Sequence, residues 1–232
     1  MIPLKDRNPS NTTPVMTVLL IIVNVLVFVY QFSLGLEHGE QFILANALVP
    51  ARLLHSLGAP GIPLSAALAP LFTCMFLHGG WMHLIGNMWF LWIFGDNVED
   101  RLGHFSYVAF YLLCGLGAGL LQLLVSIGSQ IPMLGASGAI SGVLGAYIVL
   151  YPRAKVLTLV PLLFFFFTVD LPAVVILGYW FVIQFFSGLE SLGMRAGGGG
   201  TAWWAHIGGF LMGIILVRMW PQRRQVYRYF ND

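Results

Sequence analysis

Gly135-Ala136-Ser137-Gly138-Ala139-Ile140-Ser141-Gly142 sets a hydroxyl among residues with almost no side chain, at the head of an apolar run that continues to Tyr151-Pro152. Small residues let a helix approach its neighbours closely, and a serine flanked by them is accessible to whatever packs there. The run ends in water, at Arg153 and Lys155. Working outward from it, the chain is 58% hydrophobic and 9% charged over 232 residues, with a mean hydropathy of +0.84. Soluble domains carry roughly a quarter charged residues, so this is the composition of a polytopic membrane protein. A net charge of +2 without a basic patch excludes a nucleic-acid partner. Cys74 and Cys114 lie in apolar runs without metal-ligand spacing, so neither a metal nor another cofactor is expected.

The expected fold class is all-α, a bundle of six membrane-spanning helices. Span 1 is Val15 to Leu34, an uncharged run of the ~20 residues needed to cross a ~30 Å hydrocarbon core. The mixed stretch from Gly35 to Pro63 reads as an ordered loop with short interfacial helices. Span 2 lies within Leu68 to Gly95, divided by Gly79-Gly80, with its main helix running from Trp81 to Asp96, Glu99 and Asp100. Span 3 covers Phe105 to Val125, and span 4 runs from Ser137 to Tyr151. The segment 156–169, broken by Pro161, reads as interfacial or as a lead-in to span 5 at Leu171 to Glu190. Span 6 opens at Trp203-Trp204 and closes near Trp220, after a glycine-rich loop from Met194 to Thr201. The expected division is therefore a segment 1–14, a membrane domain 15–220 and a basic tail 221–232. Both polar ends are assigned to the cytoplasm, because that topology leaves only Arg52 and Arg195 of the 11 basic residues on the other side.

Spans 2, 4 and 6 then run in the same direction, which permits a depth calculation. At 1.5 Å per residue from their cytoplasmic ends, Ser137 and His206 both rise ~21 Å and His83 rises ~20 Å. Three polar side chains reach one level, about 10 Å below the outer surface of a ~30 Å core, with Asn87 one turn deeper than His83. A serine needs an adjacent uncharged base to take its proton, and His206 is the histidine at that depth outside the His83/Asn87 pair. His83 and Asn87, at i and i+4, can donate hydrogen bonds to developing negative charge, and the Ser137 N–H at a helix start can be a third donor. No Asp or Glu lies at this depth, so the expected unit is a Ser-His dyad whose activity falls on the acid side as His206 is protonated. Gly138, Gly142 and Ala146 on span 4, and Ala205, Gly209 and Gly213 on span 6, form the stripes that would let these helices meet. His78 is read as a loop-ordering residue, and Asp170 and Glu190 as interfacial anchors.

These residues together, Gly135-Ala136-Ser137-Gly138, His206 with Ile207-Gly208-Gly209, and His83 with Asn87, closely resemble the rhomboid family of intramembrane serine proteases. The resemblance covers roughly Val15 to Trp220. It implies Ser137 as nucleophile, His206 as base, His83 and Asn87 beside the oxyanion, and hydrolysis of peptide bonds in or near the membrane helices of other proteins. Substrates would be single-span or polytopic membrane proteins met in the lipid bilayer. The family's loop over the site corresponds to Met194 to Thr201, and span 5 would border a lateral entrance. Its aromatics Tyr179, Trp180, Phe181, Phe185 and Phe186 are expected to pack against span 2 opposite Trp89 and Phe90. The first loop has no tryptophan, so no role is carried to Arg52. With neither an extra helix nor a soluble domain in the sequence, the expected setting is a bacterial inner membrane with the site opening outward. Two other readings stay open: a small transporter whose polar path is lined by His83, Asn87 and His206, and a catalytically inactive relative that binds membrane helices.

Overall fold

A computed structural model describes residues 1–162, 165–193 and 201–223. Its helices in chain order are α1 (Val15–Ser33), α2 (Gly35–Asn46), α3 (Pro50–Gly58), α4 (Leu64–Leu68), α5 (Pro70–Thr73), α6 (Trp81–Leu102), α7 (His104–Val125), α8 (Ser137–Leu150), α9 (Ala173–Gly193) and α10 (Trp203–Met219). Helices α1, α7 and α9 are long and apolar enough to cross a membrane individually. The pair Leu64–Phe76 and Trp81–Leu102, bent by 82° at the break, reaches that length and hydropathy only when the two are taken together as one broken span. Helices α8 and α10 are shorter, 14 and 17 residues. At 1.5 Å per residue α8 is only about 21 Å long, which a helix enclosed by protein tolerates because it need not match the lipid. The stretch 35–63 contains two helices, α2 and α3. Arg52 reaches back to the carbonyls of Leu44 and Ala47 and satisfies the open end of α2.

One end of the bundle is tied by polar contacts. Helix α1 has no cap of its own; instead the buried Glu99 near the end of α6 accepts the backbone N–H groups of Met16 and Thr17 at 2.9 and 2.7 Å. A carboxylate at a helix N-terminus satisfies orphan donors and complements the dipole. Asp100 accepts from Asn11 and Thr12, and Arg101 and Gln222 join the ends of α6 and α10. The ends of α6 and α10 and the start of α1 thus share one face of the protein, and the packing core sits above them around Phe94, Tyr107, Tyr111 and Tyr147.

A three-stranded sheet, absent from the all-helical expectation, also forms at this end. Strands β1 (Ile2–Asp6), β2 (Lys155–Leu162) and β3 (Phe165–Pro172) pair antiparallel in that order. Residues 156–162 and 165–169, read from the sequence as interfacial or as a lead-in to span 5, are therefore paired strands, and β1 lies within the segment 1–14. Val156, Thr158 and Val160 in β2, and Phe165 to Val169 in β3, are β-branched or aromatic residues that favour the extended state. Ile2 pairs with Leu159 and Asp6 with Val156. Arg7 Nε donates to Asp170 Oδ1 at 3.2 Å and so clamps the base of the sheet. Strand β1 lies against α6, where Trp89 Nε1 donates to the Pro3 carbonyl at 2.7 Å.

Candidate active site

The nucleophile's helix is positioned by backbone contact. Gly209 and Gly213 on α10 face α8 so closely that a side-chain carbon on either would collide with the carbonyl oxygen of Gly138 or Gly142. Gly145 also belongs to the seam, against the Phe210 carbonyl. At its upper end this seam brings Ser137, the first residue of α8, and His206, in the first turn of α10, together. Ser137 Oγ and His206 Nε2 are 2.8 Å apart, within the range for proton transfer.

His83 and Asn87 on α6 reach the same place from the other side of the loop before α8. Gly135 has φ 122°, in the left-handed region that favours glycine, and its N–H donates to the Cys74 carbonyl at 2.8 Å. A side-chain carbon there would lie 2.7 Å from His83 Nε2, so the same glycine admits the histidine ring beside Ser137. The Gly79 N–H donates to His83 Nδ1 at 3.3 Å. In the neutral ring that leaves the proton on Nε2, the nitrogen next to Gly135. Asn87 Nδ2 is buried with no hydrogen-bond partner among the described residues. Two side-chain donors thus stand beside the serine, and a cavity of about 730 Å³ is lined by His83, Asn87, Ser137, His206, Phe90 and Trp180.

His78 stands outside this group. It is fully buried, its ring lies 5.1 Å from that of His83, and Gln31 of α1 bonds its backbone on both sides. Its contacts order the turn into α6. Asp170 bonds Arg7, and Glu190 is exposed, so neither approaches His206.

The flank formed by α9 differs from expectation. Trp180 and Phe181 stack on Phe210 of α10, at centroid distances of 6.0 and 4.8 Å, and Trp180 also covers the ring of His206 at 5.9 Å. Tyr179, Phe185 and Phe186 are exposed. Trp89 is engaged by Pro3, and β1 reaches a small cavity shared with Phe90, Tyr179 and Trp180. Of the aromatics of α9, Trp180 and Phe181 therefore pack inward on α10. The glycine loop 197–200 lies outside the described residues.

Gln184 of α9 joins the site, although it was not among the residues expected there. Its Oε1 lies 2.7 Å from His206 Nδ1. A lone amide in the apolar run of α9 was the available signal, since polar groups at membrane depth are costly unless used.

The Rhomboid domain family matches residues 65–223, more than half of the chain and all four positions of the site. The chain belongs to the rhomboid family. Among curated relatives, the rhomboid is 28% identical over 207 residues to Rhomboid-like protein 11, chloroplastic, of Arabidopsis thaliana, covering 84% of this chain and 64% of the relative. It is 32% identical over 149 residues to Rhomboid protein 1, mitochondrial, of Saccharomyces cerevisiae, covering 60% and 38%. It is 40% identical over 76 residues to RHOMBOID-like protein 5 of Arabidopsis thaliana, covering 33% and 25%. The chain thus spans from a quarter to just under two thirds of these relatives' lengths. Family and fold together make this rhomboid a polytopic helical protein integral to a membrane. Two of these relatives are named as organellar, so the bacterial inner-membrane setting draws no support from them.

Proposed function

We propose that this rhomboid is an intramembrane serine endopeptidase that hydrolyses peptide bonds in or near the membrane segments of other proteins. The observation that carries the reading is the 2.8 Å contact between Ser137 Oγ and His206 Nε2 beside an amide donor without a partner. His206 accepts the hydroxyl proton as Ser137 Oγ attacks the scissile carbonyl. Charge developing on the carbonyl oxygen meets the Asn87 amide, His83 Nε2–H and the Ser137 N–H at the start of α8. Imidazolium then returns the proton to the leaving amine, and water releases the acyl group through the same base. Imidazolium cannot accept the serine proton, so the rate falls on the acid side.

A binder without hydrolysis has no need of a base held at transfer distance from the serine, and a polar path for transport has no need of Ser137. The test is cleavage of a reporter with a single membrane span, reconstituted with the purified protein in liposomes. Ser137→Ala abolishes cleavage while the protein keeps its thermal midpoint, and Asn87→Ala slows it by on the order of 3 kcal/mol or less, about two decades. Undiminished turnover by the Ser137→Ala protein contradicts this reading.

A further inference from the structure

We infer that Gln184 is the positioning residue of His206, making the site a relay of serine, histidine and a neutral amide rather than an isolated pair. The inference rests on the proposed serine protease chemistry. Gln184 lies on α9 and is 6% exposed, in the middle of the otherwise apolar stretch Ile176 to Phe186. Its Oε1 stands 2.7 Å from His206 Nδ1, while His206 Nε2 faces Ser137 at 2.8 Å. A carbonyl oxygen only accepts, so Nδ1 carries the proton and donates it to Gln184. The neutral ring then has its lone pair on Nε2, the nitrogen that must receive the proton from Ser137. The opposite tautomer would turn an N–H toward the serine and leave no base.

The rest of the ring is held from the same helix and from its own. Trp180, one turn before Gln184 on α9, lies over the imidazole with an interplanar angle of 35°, and Trp203 meets it edge-on at 89°. Gln184 adds the directional contact that neither indole supplies. An amide suits this depth better than a carboxylate. A carboxylate would have to keep its charge in apolar surroundings, which is costly without a paired cation, and among the described residues no acid contacts His206. The amide fixes tautomer and orientation at no such cost, but stabilises imidazolium less than an aspartate would. Across the cavity, His83 is the titratable group that faces His206. No other charged side chain lines that cavity among the described residues.

The experiment uses the full chain in detergent micelles, comparing the unsubstituted protein with Gln184→Leu and Gln184→Glu. Two readouts are taken: the ¹⁵N resonances of the His206 imidazole, and kcat and KM for the single-span reporter across pH. The unsubstituted protein shows His206 protonated on Nδ1 at neutral pH. Gln184→Leu mixes the tautomers and lowers kcat roughly 10- to 100-fold with KM unchanged, less than the ~10⁴ lost when the acceptor of a Ser-His-Asp triad is spoiled. Gln184→Glu restores the Nδ1–H tautomer and most of kcat, and moves the acid limb to higher pH because a carboxylate favours imidazolium. If the leucine variant does not fold, the glutamate variant decides: an unmoved acid limb overturns the inference. A Gln184→Leu protein with the unsubstituted tautomer overturns it too, whatever its rate. Should the unsubstituted protein hold the Nδ1–H tautomer yet cleave nothing, the protease reading fails while the Gln184 contact stands, so the two failures are separable.

Discussion

The seam between α8 and α10 and the flank between α6 and α9 border the same cavity but are built differently. In the seam, backbone meets backbone: Gly138, Gly142 and Gly145 face Gly209, Gly213 and the Phe210 carbonyl with no room for a side chain. On the flank, α6 and α9 share no substantial contact among the described residues, and Pro3 of β1 lines a small cavity between Phe90 of α6 and Tyr179 and Trp180 of α9. A helix pair locked through its backbone leaves the serine and its base little freedom to shift. A region filled by side chains and one strand can rearrange at lower cost. Ser137 and His206 sit on the first, and the proposed function would use the second for a substrate segment entering sideways.

The most damaging single change should be in the seam. Gly209→Val puts a branched side chain into the Gly138 carbonyl, and a backbone oxygen cannot move aside as a flexible side chain can. Overpacking typically costs about 1–3 kcal/mol, more where backbone must shift. The expected outcome is loss of reporter cleavage together with a clearly lower thermal midpoint in detergent. A stable, active Gly209→Val protein would break the contrast between seam and flank.

Trp180 comes next. Were Trp180, with Phe181, a gate closed against span 2, trimming it would speed cleavage, and were it to face lipid, trimming would change little. Its position over His206 and Phe210 points to a third outcome. Trp180→Ala should lower kcat about tenfold by freeing the ring of the base, whereas Phe186→Ala, at a residue 64% exposed, should leave kcat and stability unchanged. Faster cleavage by the Trp180→Ala protein would restore the gate reading. Kinetics of the two variants in liposomes separate these cases.

A smaller effect concerns the strand on the flank. Asp6 accepts hydrogen bonds from Asn97 and Tyr147, and burial, with the nearby Asp96 adding, pushes its carboxyl up to about 6. A carboxyl raised in the folded state disfavours the fold once it must ionise there, so its contribution is whole below the unfolded value and is lost as pH rises through the folded one. Stability should therefore fall as pH rises from 3.8 to about 6, then level off. The Asp6→Asn protein should lose this slope, and thermal midpoints measured across that window check it. An identical slope in both proteins would detach Asp6 from the anchoring of β1.

Much of this was legible because membrane depth is a linear function of residue number in a helix. Counting from Tyr151, Trp220 and Asp96 was enough to bring Ser137, His206 and His83 to one level. The small-residue stripes announced the seam, and even the unexpected Gly145 was a glycine in plain sight. What stayed hidden depends on contacts far apart in sequence. The pairing of Ile2 with Leu159 has no local signal, and Pro161 read as a helix breaker says nothing of the strand that replaces the helix. Gln184 was missed for a different reason. A carboxylate is the usual third member of such a site, but an amide can hold an imidazole tautomer equally well at this depth.

The most direct test of the central claim is labelling with a serine-directed fluorophosphonate, followed by mass mapping of the modified peptide. The Ser137–His206 arrangement predicts one adduct, on Ser137 and not on Ser141, that disappears in both the Ser137→Ala and the His206→Ala proteins. An adduct on another serine, or undiminished labelling in the folded His206→Ala protein, would contradict it.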